Sequence, residues 1–162
     1  MEFPEPTVPI DDERQVLLGY LDYFRAVVLE KADGIDIHVS ALPSGWTPAE
    51  LLHHLRHVER RWLEWGFEGQ PITDPWADRE GDRWHTTDDL PTLAANLHRQ
   101  AARTREIVEA HALTDVGRPG ERWDGAEPAT LQRVLLHLVQ EYARHAGHLD
   151  VVRELRDEVS GE

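Results

Sequence analysis

Apolar positions recur at helical spacing in four stretches of the chain. Residues three and four apart share one face of a helix, so this recurrence predicts amphipathic helices. The predicted helices span residues 11–31, 47 to about 66–69, 87 or 88 to about 111, and 130 to about 159. No segment shows a convincing strand pattern, and there is no internal repeat. The pattern therefore predicts an all-α fold built from four helices.

The second helix has the clearest start signal. Thr47 precedes Pro48, and Glu50 follows three residues after the threonine. This is a capping box with proline at the first helical position, where its missing N–H costs nothing. Asp11 and Asp12 lie near the start of the first helix, where carboxylates interact favourably with the helix dipole.

Long polar segments separate the later helices. Residues 70–86 are rich in Pro, Asp, Gly and Trp, and residues 112–129 contain several Gly and Pro. We therefore expect long loops between helices 2 and 3 and between helices 3 and 4. A loop of this length is often a functional lid, and Trp76 and Trp84 either cover a pocket or anchor the loop on the helices. The four helices suggest an up-down bundle, although these loops would also permit a crossover connection.

Length and composition narrow the class of protein. A chain of 162 residues fits a single domain over residues 1–162, which we interpret as one four-helix bundle preceded by an extended N-terminal segment, 1–10. That segment lacks the features of a signal peptide, and no apolar run is long enough to span a membrane. The absence of cysteine excludes disulfides, thiolate ligands and a cysteine nucleophile. These features indicate a cytoplasmic protein.

The chain is strongly acidic, with a formal net charge of −14. Such a surface repels phosphate backbones, so we expect no nucleic-acid partner. The charge otherwise indicates solubility rather than a particular activity.

Three side chains form a candidate metal site. Glu141 and His145 are one turn apart on the fourth helix, and His54 lies on the apolar face of the second. Burying a carboxylate is costly unless it is paired or binds a cation. One Glu and two His suit zinc, nickel or ferrous iron. The alternative is a simple surface hydrogen bond, since this spacing is less specific than the HExxH zinc motif.

His148 and Asp150 follow these candidate ligands closely. His148 is the candidate catalytic residue, as a proton carrier near neutral pH, with a structural role as the alternative. Asp150 either caps the helix, pairs with Arg153 or orients a ligand histidine.

Other polar residues of the second helix have simpler interpretations. His53 is expected to be exposed, because it points away from the apolar face. His57 lies either beside the metal ligand or on the surface. Glu59 and Arg61 are expected to be solvated or paired.

Two segments carry a family resemblance. The sequences LLHHLRHVERRW (51–62) and HLVQEYARHAGHLDVVREL (137–155) resemble the signature helices of the DinB-like superfamily. The branch that they resemble contains actinobacterial mycothiol-dependent transferases and the N-terminal domain of mycothiol-dependent maleylpyruvate isomerase. Residues 13–35 and 43–52 also fit, so the resemblance covers nearly the whole chain.

The resemblance implies a DinB-like bundle with a metal at one end, between the second and fourth helices. By position its ligands would be His54, Glu141 and His145, with Glu141 where many superfamily members have a histidine. The isomerase carries a second, C-terminal domain that helps to complete its active site. Isomerase activity is therefore not implied for this chain.

The leading hypothesis is a metal-dependent thiol S-transferase. A divalent metal, with zinc favoured over nickel or iron, would activate a low-molecular-weight thiol such as mycothiol for attack on an electrophile beneath the 70–86 loop. Its partners would be these two small molecules. One alternative is a metal-dependent hydrolase in which His148 or Glu59 acts as base. The other is a non-catalytic, stress-linked metal-binding protein that forms a homodimer through exposed apolar helix faces.

Overall fold

Four α-helices build the part of the protein that the structure describes, as the sequence predicts. The computed structural model describes residues 6–7 and 11–157. The predicted extended segment 1–10 falls mostly outside the described residues, as does any continuation of the last helix beyond residue 157. The helices are α1 (Glu13–Ala32), α2 (Pro48–Arg60), α3 (Leu90–Ala110) and α4 (Leu131–Asp157).

Side-chain caps set the starts of three helices. Asp12 caps α1. The predicted capping box of α2 is present, since the Thr47 hydroxyl accepts from the Glu50 N–H at 3.3 Å and the Glu50 carboxylate accepts from the Thr47 N–H at 2.9 Å. Asp89 caps α3 by accepting from the Thr92 N–H at 2.9 Å. The third helix thus begins two or three residues later than predicted, because Asp89 is its cap and precedes the first helical residue.

The second helix continues beyond Arg60 as a π-helical segment, Arg61–Phe67. We call this stretch the π-segment. Its wider turns change the rotation of the side chains that follow α2, a feature that recurs at functional sites. The segment ends before Gly69, which has a positive φ of 66°, in agreement with the predicted end of the helix.

Contacts between α1 and α4 show that these two helices run in the same direction. The guanidinium of Arg25 lies 5.7 Å from the centre of the Tyr142 ring. Further along both helices, Lys31 forms an ion pair with Asp150. Because the residue numbers rise together, α1 and α4 are parallel.

The second helix runs against α4 and alongside α3. The Trp46 ring lies 6.0 Å from that of His148, whereas Trp62 lies 5.0 Å from His137, so α2 and α4 are antiparallel. At the other end, the rings of Phe67 and His111 are 5.1 Å apart, which places the end of the π-segment beside the end of α3.

The bundle therefore has an up-down-down-up order rather than a simple up-down one. The segment between Phe67 and Asp89 must return the chain to the end where α2 began. This segment is the crossover connection that the sequence analysis gave as the alternative to an up-down bundle. The loop also contains a hairpin of two short strands, β1 (Arg79–Glu80) and β2 (Arg83–Trp84), paired antiparallel. Two residues per strand are too few to produce the alternation by which a sequence reveals a strand.

A polar network crosses the otherwise apolar core. Glu59 is fully buried and accepts hydrogen bonds from Arg25, from the Thr104 hydroxyl and, at 2.8 Å, from the Tyr142 hydroxyl. Arg25 also donates to Asp22 at 2.7 Å. Of the two predicted states of Glu59, the paired one is correct, and the network ties α1, α3 and α4 to α2.

Candidate metal centre

The three predicted metal ligands meet between α2 and α4. One ligand atom each from His54, Glu141 and His145 can be chosen so that all lie within 4.8 Å of one another. Both histidines are buried, and Glu141 is partly exposed. The Nε2 of His145 is 3.4 Å from a carboxylate oxygen of Glu141. The helical spacing on α4 presents two of these donors, and the packing of α2 supplies the third.

Asp78 in the crossover loop fixes the orientation of His54. Its carboxylate lies 2.8 Å from the Nδ1 of His54, so Nδ1 donates and Nε2 is the nitrogen with a free lone pair. Arg61 donates to both oxygens of Asp78, at 2.7 and 3.2 Å. Burial raises the pKa of Asp78, but the hydrogen bonds from His54 and Arg61 outweigh it and hold this pKa well below its usual range. Asp78 is therefore an ionised, buried partner of a candidate metal ligand.

His145 is neutral at physiological pH. Burial lowers its pKa to about 3, helped by the nearby His54, His148 and Arg144. A neutral imidazole is the form that binds a metal ion.

The predicted catalytic residue, His148, lies next to His145. The Nδ1 atoms of the two rings are 3.3 Å apart, so one must donate and the other accept. The Nε2 of His145 faces Glu141, so with a cation between these two atoms Nε2 would be the ligand atom and the Nδ1–H of His145 would donate to His148. The neighbouring Asp150 pairs with Lys31 of α1, so its contact is with the bundle rather than with a ligand histidine.

Trp84 in strand β2 covers the ligand histidines. Its ring stacks on that of His54 at 4.0 Å and meets that of His145 edge-on at 5.6 Å. Trp76, also predicted to cover a pocket, is partly exposed and lies 4.5 Å from the Arg61 guanidinium. Of the two tryptophans in this loop, Trp84 contacts the site and Trp76 packs on the arginine that holds Asp78.

The other two histidines of α2 are less accessible than the sequence indicated. His53 is half-buried, because the loop residue Ala77 lies over it, with its carbonyl 3.4 Å from the ring. His57 is buried, and its ring is 4.6 Å from that of His53. The expectation of an exposed His53 is therefore wrong, and so is a surface position for His57.

The donor set fits a divalent transition metal. Two imidazole nitrogens and one carboxylate oxygen suit zinc and its neighbours better than calcium or magnesium. The hydrogen bond from His54 to Asp78 matches the carboxylate–histidine pairing that orients metal ligands. With three protein ligands, at least one coordination position would remain for a small molecule.

Comparison with known families identifies the chain. A family model described as mycothiol S-transferase matches residues 16–158. The chain belongs to the mycothiol S-transferase family. This membership confirms the predicted DinB-like resemblance and supports the prediction of a transferase. The matched residues include most of α1, all of α2, α3 and α4, and the three candidate metal ligands.

Two further findings concern curated relatives and the membrane. No curated protein matches the sequence of this family member. In the part of the chain that the structure describes, none of the helices is sufficiently long and apolar to cross a membrane.

Proposed function

We propose that this protein is a metal-dependent S-transferase that joins mycothiol to an electrophile, with a divalent cation, zinc by preference, held by His54, Glu141 and His145. The observation that carries the proposal is the convergence of these three donors within 4.8 Å. Membership of the mycothiol S-transferase family supports the choice of thiol and reaction.

A cation at this centre would lower the pKa of a thiol bound to it, which explains how a chain without cysteine can carry out sulfur chemistry. The protein's own part is to position the donors. Glu141 contributes the negative charge and His145 a neutral nitrogen, while Asp78 keeps the Nε2 of His54 available. Trp84 covers both histidines and limits the access of water to them.

The contact between His148 and His145 supports an orienting role for His148. By accepting from the Nδ1 of His145, it would keep Nε2 free to act as the ligand atom. The catalytic role of His148 as a proton carrier stays a prediction.

The test is metal content, measured by mass spectrometry on untagged protein. We expect one metal per chain in the wild type and its loss in Glu141→Ala and His145→Ala, with helical content and cooperative unfolding retained. His98→Ala and Glu109→Ala are matched controls, because both residues are exposed on α3. Unchanged metal content in the α4 variants, or metal loss in the controls, would contradict the ligand assignment.

A second measurement tests the thiol. In cobalt-substituted protein, addition of mycothiol is expected to shift the visible absorption spectrum, because sulfur would enter the coordination sphere. A stoichiometric metal without any response to thiol would support the metal-dependent hydrolase instead. If protein incubated with excess metal neither binds metal nor shows turnover, both enzymatic proposals would be contradicted.

A further inference from the structure

A cavity lies beside the first turns of α4, and its wall is in contact with the candidate metal ligand Glu141. It has a volume of about 230 Å³ and lies between the π-segment, the loop before α4 and the first turns of α4. We call it the tryptophan pocket. Its lining residues are Trp62, Trp123, Ala129, Arg133, Val134 and His137.

The Trp123 wall of this pocket is held in place. Its indole N–H donates to the carbonyls of Gly66 and Arg118, at 3.1 and 3.0 Å. At Gly117 a Cβ would lie 3.1 Å from the Trp123 ring and 3.2 Å from the Phe67 Cα. A glycine is therefore needed for the ring to approach this closely, and the wall is preorganised rather than flexible.

The adjoining wall is also aromatic. Trp62 is in the π-segment, and its ring centre lies 5.7 Å from that of Trp123 and 5.0 Å from that of His137. The Arg122 guanidinium lies 3.6 Å from the centre of the Trp62 ring. These tilted and edge-on arrangements leave ring faces and edges that favour contact with another aromatic ring.

His137 connects the tryptophan pocket with the metal centre. Its Nε2 is 3.7 Å from one carboxylate oxygen of Glu141, and the other oxygen of Glu141 is 3.4 Å from the Nε2 of His145. The pocket wall thus contacts a candidate metal ligand directly, one helical turn away along α4. A molecule in the pocket would therefore lie about one helical turn from Glu141.

Arg133 gives the pocket a positive edge on an otherwise acidic protein, and the Arg122 guanidinium stacks on its Trp62 wall. Arg133 lines it and is exposed. Within residues 11–157, the Nε of Arg122 is buried without a hydrogen-bond partner. Both cations would favour a ligand that carries a negative or strongly electron-withdrawing group.

We propose that the tryptophan pocket binds the electrophile of the transferase reaction, and that this electrophile is a planar aromatic molecule with an anionic or nitro-type substituent. This inference rests on the proposed function. A benzene molecule occupies an engineered apolar cavity of about 150 Å³, so the volume of the pocket suits one substituted ring. This location differs from the one beneath the 70–86 loop, which stays a prediction.

The reaction with such a substrate is a balanced substitution. With a chlorodinitrobenzene, the thiolate sulfur attacks the ring carbon that carries chlorine. A C–S bond forms, the C–Cl bond breaks, and chloride leaves with the bonding electron pair. The thiol proton passes to solvent, and no oxidant or reductant is required.

Binding is tested first, in metal-free protein without thiol. The probe is 3,5-dinitrobenzoate, a non-reacting analogue, detected by quenching of tryptophan fluorescence. We expect Trp123→Leu to weaken its binding about tenfold, as loss of a ring contact implies, whereas Trp123→Phe retains most of the affinity. The control is Trp65→Leu, since Trp65 packs on Trp76 outside the pocket, 6.4 Å between ring centres.

Arg133→Ala offers a test that does not disturb the core, because this side chain is exposed. It is expected to weaken binding of 3,5-dinitrobenzoate severalfold and binding of the uncharged 1,3-dinitrobenzene much less, because only the benzoate carries a full negative charge. Equal binding of the benzoate to the wild type, Trp123→Leu and Arg133→Ala would overturn the proposal, as would an equal loss in Trp65→Leu.

Kinetics then separates the pocket from the reaction. For 1-chloro-2,4-dinitrobenzene with mycothiol, Trp123→Leu is expected to raise KM about tenfold and to change kcat less than twofold. The KM for iodoacetamide, an aliphatic electrophile, is expected to stay unchanged. An equal rise for both electrophiles would overturn the pocket assignment. Pocket-dependent binding of dinitrobenzoate without thiol transfer to any electrophile would instead overturn the proposed function and retain the pocket as a binding site.

Discussion

Two glutamates face the interior of the bundle from neighbouring helices, and their surroundings differ. Glu59 on α2 is fully buried, and both of its oxygens accept hydrogen bonds from protein donors. Glu141 on α4 has a side chain that is 21% exposed, and its oxygens lie 3.4 and 3.7 Å from the imidazoles of His145 and His137. Tyr142, which follows Glu141 in the sequence, donates a hydrogen bond to Glu59.

The comparison shows how a structural carboxylate differs from a candidate ligand. The desolvation of Glu59 is compensated by the charge of Arg25 and by two hydroxyl groups, so no capacity for a ligand remains. Glu141 lies instead beside the neutral imidazole of His145, which brings no charge to compensate its own. A cation would supply that charge. The negative charge of Glu141, which no protein cation within residues 11–157 compensates, therefore distinguishes the candidate metal site from the structural carboxylate of Glu59.

The largest effect that separates the two glutamates is on stability. Glu59→Gln is expected to lower the free energy of unfolding by about 3 kcal/mol, because it leaves the buried Arg25 without its main counter-charge. Asp22 still pairs with Arg25, which keeps the loss near the low end of the range for broken buried pairs. Urea unfolding with circular dichroism measures it, on metal-free protein.

The matched substitution Glu141→Gln is expected to show the opposite pattern. In metal-free protein its stability should differ from the wild type by less than about 1 kcal/mol, since no buried ion pair is broken. Its metal content should fall, whereas Glu59→Gln should keep its metal. If both variants lost stability and metal to the same extent, the distinction between the two carboxylates would be wrong.

A smaller effect is expected at Asp78, which contacts the site through His54. Asp78→Asn is expected to reduce metal affinity about 10–100-fold, the usual cost of changing a partner that orients a ligand histidine. The measurement is competition with a chromogenic zinc chelator, after circular dichroism has shown that the variant is folded. Asp82→Asn is the matched control, because Asp82 is exposed in the same hairpin. Equal affinities in the two variants would remove Asp78 from the site.

The pH dependence of stability sharpens the comparison further. Burial and Glu59 raise the pKa of Tyr142 well above its usual value, so the Tyr142 hydroxyl stays protonated and keeps donating to Glu59. Burial lowers the pKa values of His57 and His145 from 6.5 to about 3. Between pH 6.5 and about 4.5 the unfolded chain therefore binds protons at both residues that the folded chain does not. Stability should fall as pH falls, by up to about 1.4 kcal/mol per pH unit for each histidine.

Urea unfolding of metal-free protein at several pH values checks this slope. His57→Gln is expected to reduce it by about half, because one of the two titrating residues is removed. His98→Gln should leave it unchanged, since His98 is exposed on α3. A slope that does not respond to His57→Gln would show that other groups dominate the acid sensitivity.

Features that depend on residues close together in the sequence were predicted, whereas those that depend on residues far apart were not. The capping box at Thr47 and the pairing of Glu141 with His145 are local, because both depend on residues three or four apart. His54 followed from its place on an apolar helix face. In contrast, Asp78 lies in a loop 24 residues from His54, and no periodic pattern marks it. The nearby tryptophans were the only signal for that segment, and Trp84 does reach the site.

The hydrophobic pattern also left the direction of the helices undecided. An apolar stripe shows that a helix packs but not against which neighbour or in which direction. The parallel packing of α1 with α4 became evident only from pairs such as Lys31–Asp150. For the same reason the tryptophan pocket was not predicted. Trp62 and Trp123 are 61 positions apart, and the π-segment and a loop bring them together.

The sequence by itself determined the four helices, the capping box of α2 and the helical spacing of the candidate ligands, since each depends on neighbours within a turn or two of the chain. Only the tertiary structure decided the up-down-down-up order, the orientation of His54 by Asp78, the complete compensation of Glu59 and the cavity beside Glu141. These features depend on contacts between residues tens of positions apart. The folding of the whole core brings such residues together, and local sequence preferences do not specify them.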